Sequence, residues 1–281
     1  MIEAALLLRR AAQRIPAADA RLLLAGVLDL PVSRLLTLPG VDDAAAVRFE
    51  TLVDARATGR PTQYLIGRAP FRHVEVAVGP GVFIPRPETE VMVGWALERL
   101  REGPPQPVVV ELCAGSGAIS LALADEHPSA VQYAVELSAE AVAYAAVNLA
   151  GSGVALAQGD MADAFRELDG TVDLVIANPP YVPLESFDGI PAEVRDHEPA
   201  LALFSGADGL DALRVVATVA ARLLKPGGWV CAEHAELQHE SAPAVFARHG
   251  GFVAVHDQRD YNDRPRFVTA RRAAAMAGWP S

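Results

Sequence analysis

The sequence predicts an α/β protein: a seven-stranded, mostly parallel, doubly wound sheet, preceded by a small helical bundle and a linking β-hairpin. Three observations carry this. From residue 108 onward, short apolar runs alternate with helical patterns, as right-handed β-α-β crossovers require. Residues 1–60 place apolar side chains at helical spacing and contain no strand-like run. The last two apolar runs follow one another without a clear helix between them, which predicts an antiparallel hairpin at one sheet edge. The chain has 281 residues, 51% of them hydrophobic, which is ample for a packed core.

In order along the chain, the first 60 residues are rich in Ala, Leu and Arg. Pro16, Pro31 and Pro39-Gly40 divide them into several short helices. The segment fits a plain helical bundle, or more sharply a domain that docks a partner. Residues 61–86 form a linker. Thr62 to Gly67 reads as a helical turn, Phe71 to Val78 as a half-buried strand, Gly79-Pro80-Gly81 as a turn and Val82-Phe83-Ile84 as the returning strand. Residues 87–281 make the larger domain. Pro87, Glu88 and Glu90 suit a helix N-terminus, and that helix should run to about Glu102.

Strands are expected at Val108–Leu112, Val131–Val135, Val154–Ala157, Val172–Ala177, Trp229–Glu233, Gly251–His256 and Arg266–Ala270. Helices are expected at Ala118–Glu126, after the Ser138 cap to about Ala150, at Gly209–Leu224 (stopped by Pro226-Gly227-Gly228) and at Leu237–His249.

Composition excludes several functional classes. The net charge of −11 argues against a broad phosphate-binding face and hence against nucleic acid as partner. The two cysteines, Cys113 and Cys231, have no paired metal spacing and suit a reducing compartment. The seven histidines share no ligand spacing, so no metal is expected. The apolar run at Met1–Leu8 ends at Arg9-Arg10. It is too short for a membrane span, and its arginines stand on the wrong side for a signal peptide. A cytoplasmic protein without a membrane partner is expected.

Two clusters carry chemistry. Cys113-Ala114-Gly115-Ser116-Gly117 follows a strand and opens a helix, and its glycines permit a sharp turn and close ligand approach. The third glycine of a dinucleotide fingerprint is replaced by Ser120. Glu136, at the next strand end, can accept both hydroxyls of a ribose. Asp160 after the third strand can accept from an adenine amino group, with Met161 against the ring. The second cluster is Asn178-Pro179-Pro180-Tyr181, directly after a buried strand. Two prolines stiffen the backbone and leave carbonyls free, Asn178 offers an acceptor beside a donor, and Tyr181 offers a flat face. A planar NH₂ group could be held there, although four residues alone fit a capped loop equally well. Pro85 and Pro87 hold Arg86 in an extended direction.

Taken together, the chain resembles the glutamine N5-methyltransferases of class I peptide-chain release factors, the HemK or PrmC family, with wording like that of actinobacterial members. The resemblance runs nearly the whole length. It rests on Phe83-Ile84-Pro85-Arg86-Pro87-Glu88-Thr89-Glu90, Gly115-Ser116-Gly117, Glu136, Asp160, Asn178 to Tyr181, Arg195 to Pro199, Gly206 to Leu210, Pro226-Gly227-Gly228 and Glu233-His234. Cys113-Ala114 stands where the family often has Gly-Thr, and Glu111 where its first strand usually ends in Asp.

The resemblance implies a Rossmann-like class I methyltransferase fold and S-adenosyl-L-methionine as donor, leaving S-adenosyl-L-homocysteine. It implies a monomer whose helical domain engages the release factor. Cys113 to Gly117, Glu136, Asp160, Met161 and Asn178 would contact the donor. Asn178, Pro179, Pro180 and Tyr181, with Arg86, would hold the glutamine of the Gly-Gly-Gln tip. Adenine N6 and a ribosomal-protein glutamine are the alternative acceptors.

Overall fold

A computed structural model describes residues 1–274; residues 275–281, the end of the expected larger domain, lie outside the described residues. Two compact units are present. One comprises Met1–Arg68 together with Val78–Pro80 and Ile190–Glu198; the other comprises Ala69–Ala77, Gly81–Gly189 and the chain from Pro199 onward.

The first unit contains α1 (Ala4–Ala11), α2 (Ala17–Leu28), α3 (Asp43–Ala57), α4 (Thr62–Ile66) and a later helix, residues 192–197. Its helices begin where the punctuation placed them. Pro16 precedes α2, and the Asp42 carboxylate caps α3 by accepting from the Ala45 amide at 2.7 Å. Leu23, Leu24, Phe49 and Val53 are fully buried, each contributing about 1.5–3 kcal/mol relative to exposure. Arg56 of α3 donates to Asp19 at 2.7 Å and to Glu193 at 2.8 Å, which ties the segment 190–198 to this unit.

β1 (Arg68–Phe71), which lies in the second unit from Ala69 onward, and β2 (Val74–Ala77) form a two-stranded sheet. The hairpin therefore lies earlier than the sequence predicts. Arg72-His73 is its turn, with Arg72 in the left-handed region at φ 52°. Val82 and Ile84 are buried but form no strand. Arg72 donates to the Glu90 carbonyl at 2.8 Å and pairs with Glu126, which lowers that carboxyl's pKa below the usual range.

The main sheet follows in chain order: α5 (Thr89–Arg101), β3 (Val108–Leu112), α6 (Ala118–Glu126), β4 (Val131–Glu136), α7 (Ala139–Asn148), β5 (Ala155–Gln158) and β6 (Val172–Ala177). After the helix at 192–197, here α8 (Ala192–His197), come α9 (Asp211–Leu223), β7 (Leu224–Glu233), α10 (Ser241–His249), β8 (Phe252–Arg259) and β9 (Pro265–Arg272). The spatial order is β5-β4-β3-β6-β7-β9-β8. Strands β3 to β7 are parallel, and β9 pairs antiparallel with both β7 and β8.

α9 and α10 pack on the face that carries Val110, Leu112, Val175 and Ala177. The alternate residue Glu111 reaches Ser120 of α6, so α6 covers the opposite face. Two details differ from the sequence expectation. Pro226-Gly227-Gly228 lies inside β7, where the ladder to β6 shifts register between Val172 and Leu174. α10 starts at Ser241 because a tight turn at Glu236–Gln238 directs Gln238 inward. Among the described residues no helix is long and apolar enough to cross a membrane.

Candidate active site

The parallel ladder sets four strand ends in one row. Leu112 pairs with Val135 and with Ala177, and Ala177 pairs with Ala232. One residue further, Cys113, Glu136, Asn178 and Glu233 stand side by side along the carboxyl edge. The strand order reverses between β3 and β6, which is where open α/β sheets bind ligands.

On the β3 side, the loop turns through positive φ at Cys113 (59°), Gly115 (56°) and Gly117 (79°). A Cβ on Gly117 would sit 3.0 Å from Leu149 Cγ, so the start of α6 requires a bare Cα. At Gly115 nothing lies within 4 Å of that position, and a ligand can approach the backbone. Ala114 donates to the Val135 carbonyl at 3.0 Å, and the carbonyl of buried Ser116 accepts from Asn148 at 2.8 Å. Cys113 Sγ lies 3.5 Å from Met161 Sδ. Burial, then the charges of Glu136, Glu111 and Asp160, push the Cys113 thiol pKa up, so it stays protonated.

Glu136 accepts from the Gly115 amide with Oε2 and from the Ser138 amide with Oε1, both at 2.8 Å. Each oxygen keeps a second lone pair for a ligand hydroxyl. Asp160 is exposed and accepts from the Ala162 amide at 2.9 Å.

Beneath this loop Glu111 is buried. Its Oε2 accepts from the amide of Ser120 at 3.0 Å and from the Ser120 hydroxyl, while its Oε1 has no partner among the described residues. Burial lifts its pKa to about 8. Ser120, at the fingerprint's third position, thus serves an acid below the loop rather than a phosphate above it.

On the β6 side, Asn178 Nδ2 lies 3.3 Å from Thr89 Oγ1, which donates to Glu233 Oε2 at 2.6 Å. Tyr181 donates its hydroxyl to Glu233 Oε1 at 3.2 Å. Burial raises Glu233 to about 7 and, first among its causes, raises Tyr181 as well. Gln238 Nε2 donates to the carbonyls of Tyr181 at 3.0 Å, Asp208 at 3.2 Å and Gly209 at 3.3 Å. Pro179 is buried, and Pro180 and Tyr181 are partly covered. Arg86 lies with its guanidinium 4.8 Å over the Phe83 ring, and its charge acts on Tyr181.

The sequence-predicted residues Cys113 to Gly117, Glu136, Asp160, Met161 and Asn178 to Tyr181 therefore share one rim, and the charge of Arg86 acts on Tyr181. Sequence reasoning assigned no role to Thr89, Glu233 or Gln238. Glu233 is another strand-end acid, and the logic that singled out Glu136 and Asp160 would have found it. Thr89 and Gln238 carry no such signal. Among the described residues no group of three or more His, Cys, Asp or Glu side chains could hold a metal ion.

A family model described as the PrmC N-terminal domain matches residues 1–67, and one described as the methyltransferase small domain matches residues 80–188. The chain is 48% identical to the release factor glutamine methyltransferase of Streptomyces coelicolor over 92% of each chain. It is 42% identical to a 4-amino-L-phenylalanine/4-methylamino-L-phenylalanine methyltransferase of Streptomyces pristinaespiralis, over 77% of this chain and 75% of that one. Among solved structures, the hMettl16 catalytic domain in complex with a 3′UTR hairpin superposes with TM-score 0.57 over 86% of each chain at 13% identity, which shows a shared fold.

Proposed function

The chain belongs to the release factor glutamine methyltransferase family, and on that premise we propose that it methylates the side-chain amide nitrogen of the glutamine in the Gly-Gly-Gln tip of class I peptide-chain release factors. The donor is S-adenosyl-L-methionine, the setting the cytoplasm, and the helical region 1–60 engages the substrate protein. The observation that carries this reading is the row of strand ends: a ribose-accepting carboxylate, a glycine loop and the Asn-Pro-Pro-Tyr turn at one level of one sheet.

The residues present fit the donor. Gly115 leaves space where a Cβ would stand, Glu136 keeps free lone pairs for ribose hydroxyls, and Asp160 is exposed for an adenine amine, with Met161 against the ring. Cys113 to Gly117 would lie along the amino-acid portion. When bound, the donor supplies a methyl group activated by a sulfonium. The chain's own residues supply placement. Asn178 Oδ1, which accepts no hydrogen bond among the described residues, and the Pro179 carbonyl would accept the two amide N–H groups, and Tyr181 would pack on the amide plane. Holding both N–H groups fixes the nitrogen for in-line attack, and such orientation is worth about 7–11 kcal/mol. The nearest buried carboxylate, Glu233, is engaged by Thr89 and Tyr181, so no side chain is assigned as general base; as the methyl leaves the sulfonium, the nitrogen gives up one proton to water and the donor leaves as the neutral thioether.

Radiolabelled methyl transfer to a purified release factor, to its Gln-to-Ala variant, to DNA and to 4-amino-L-phenylalanine tests the reading. Label should reach only the intact release factor; label on DNA or on the arylamine alone refutes it. Asn178→Ala should lower kcat about 10²–10³-fold, the scale of losing one transition-state hydrogen bond, far more than it weakens donor binding measured by calorimetry.

A further inference from the structure

We infer that Thr89 and Glu233 are positioning residues that fix which end of the Asn178 carboxamide faces the acceptor, by a one-way chain of hydrogen bonds from Asn178 through Thr89 to Glu233. The inference rests on the proposed transfer to an amide nitrogen and adds to it the residues that make Asn178 an acceptor there.

The direction follows from counting hydrogens. Thr89 and Glu233 are both buried, at 2% and 1% exposure. A carboxylate has no hydrogen to give, and a hydroxyl has one. The 2.6 Å contact between Thr89 Oγ1 and Glu233 Oε2 therefore consumes the only Thr89 hydrogen. Thr89 Oγ1 can then only accept at its other contact, 3.3 Å from Asn178, which demands the NH₂ end of the amide. The carboxamide is planar, so turning Nδ2 to Thr89 turns Oδ1 away from it. A substrate NH₂ group meets an acceptor. With the amide inverted it would meet two donors.

The second oxygen of Glu233 takes the Tyr181 hydroxyl at 3.2 Å. One carboxylate thus holds both ends of the four-residue turn, residue 178 through Thr89 and residue 181 directly. Arg266 on β9 favours the ionised form, and Glu88 at the start of α5 opposes it. Burial outweighs both and lifts Glu233 to about 7. Once Glu233 is protonated it can donate to Thr89, which frees the Thr89 hydrogen to point at Asn178 and removes the preference between the two amide orientations.

The full-length chain, a purified release factor and S-adenosyl-L-methionine supply the test. Thr89→Val keeps the shape and removes the hydroxyl, Thr89→Ser restores it, and Glu233→Gln removes the obligate acceptor. Thr89→Val should lower kcat by about tenfold or more, the scale of a misplaced reacting group, with donor affinity, KM for the release factor and melting temperature little changed. Thr89→Ser should recover most of that loss. Wild-type kcat should fall as pH drops through about 7, and Glu233→Gln should lack that limb. A folded Thr89→Val at wild-type kcat, or a Thr89→Ser as slow as Thr89→Val, overturns the inference. Failure of the wild-type chain to label the release factor at any pH would instead refute the proposed substrate.

Discussion

Gly209→Ala offers a quantitative test of how the Asn-Pro-Pro-Tyr turn is held. Gly209 lies at φ 74°, and a Cβ there would stand 2.3 Å from the Tyr181 carbonyl oxygen, 2.7 Å from Gln238 Nε2 and 3.0 Å from the Tyr181 carbonyl carbon. Ordinary contacts begin near 3.5 Å, so the backbone at Tyr181 or the loop at Gly209 must move by roughly 1 Å. An alanine in the left-handed region costs about 1–2 kcal/mol. The same movement breaks the hydrogen bonds from Gln238 to Tyr181 and Gly209, at about 1 kcal/mol each. The sum is roughly 3–4 kcal/mol, or a fall of about 6–16 °C in Tm at ~2–4 °C per kcal/mol. Displacing Tyr181 should also lower kcat by about tenfold or more. Circular dichroism melts and methyl-transfer assays read both quantities. Gly159→Ala, where nothing lies within 4 Å, is the control and should leave Tm nearly unchanged. A Gly209→Ala protein that melts and turns over like wild type would refute the reasoning.

Two further expectations concern the donor side. Glu111 is ordinarily deprotonated near 4.5 but is held to about 8 by burial; the folded state keeps a proton the unfolded chain has lost, so its contribution is full below about 4.5 and is lost as pH rises to about 8. Relative to Glu111→Gln, which is neutral throughout, the wild-type chain should lose on the order of 5 kcal/mol across that window, and an equal Tm difference at pH 5 and pH 8 would show the proton is not there. Cys113 sits at φ 59°, so Cys113→Gly should stabilise the chain by about 0.5–1 kcal/mol once glycine's own entropy cost is set against the relieved strain; a chemical denaturation curve showing a loss would mean that the sulfur's contact with Met161 outweighs the backbone.

Where burial acts on both faces of an element, the sequence was easily read. Val108–Leu112 and Val172–Ala177 match the observed strands residue for residue, because a strand covered by helices on both sides must be apolar throughout. The edge hairpin β8–β9 was legible for the converse reason: no helical pattern separates its strands. The linking hairpin was displaced because its turn uses Arg72 in the left-handed region, with none of the Gly or Asn that usually signals such a turn. Pro226-Gly227-Gly228 suggested a helix stop, yet α9 has already ended at Leu223 and the three residues form an irregular start to β7.

By itself the sequence determined which residues stand at strand ends, since a change of hydrophobic period marks them locally, and so it named Gly115, Glu136, Asp160 and the turn from Asn178 to Tyr181. Only the tertiary structure decided what holds that turn. Thr89 meets Asn178 across 89 residues of chain and Glu233 across 144, and Gln238 meets Tyr181 across 57. No local pattern records such pairings. They exist because the strand order places β7 beside β6 and packs the start of α5 over both. A hydrogen bond of fixed direction, and with it the polarity of Asn178, arises only once the fold has brought a hydroxyl, an amide and a buried carboxylate together.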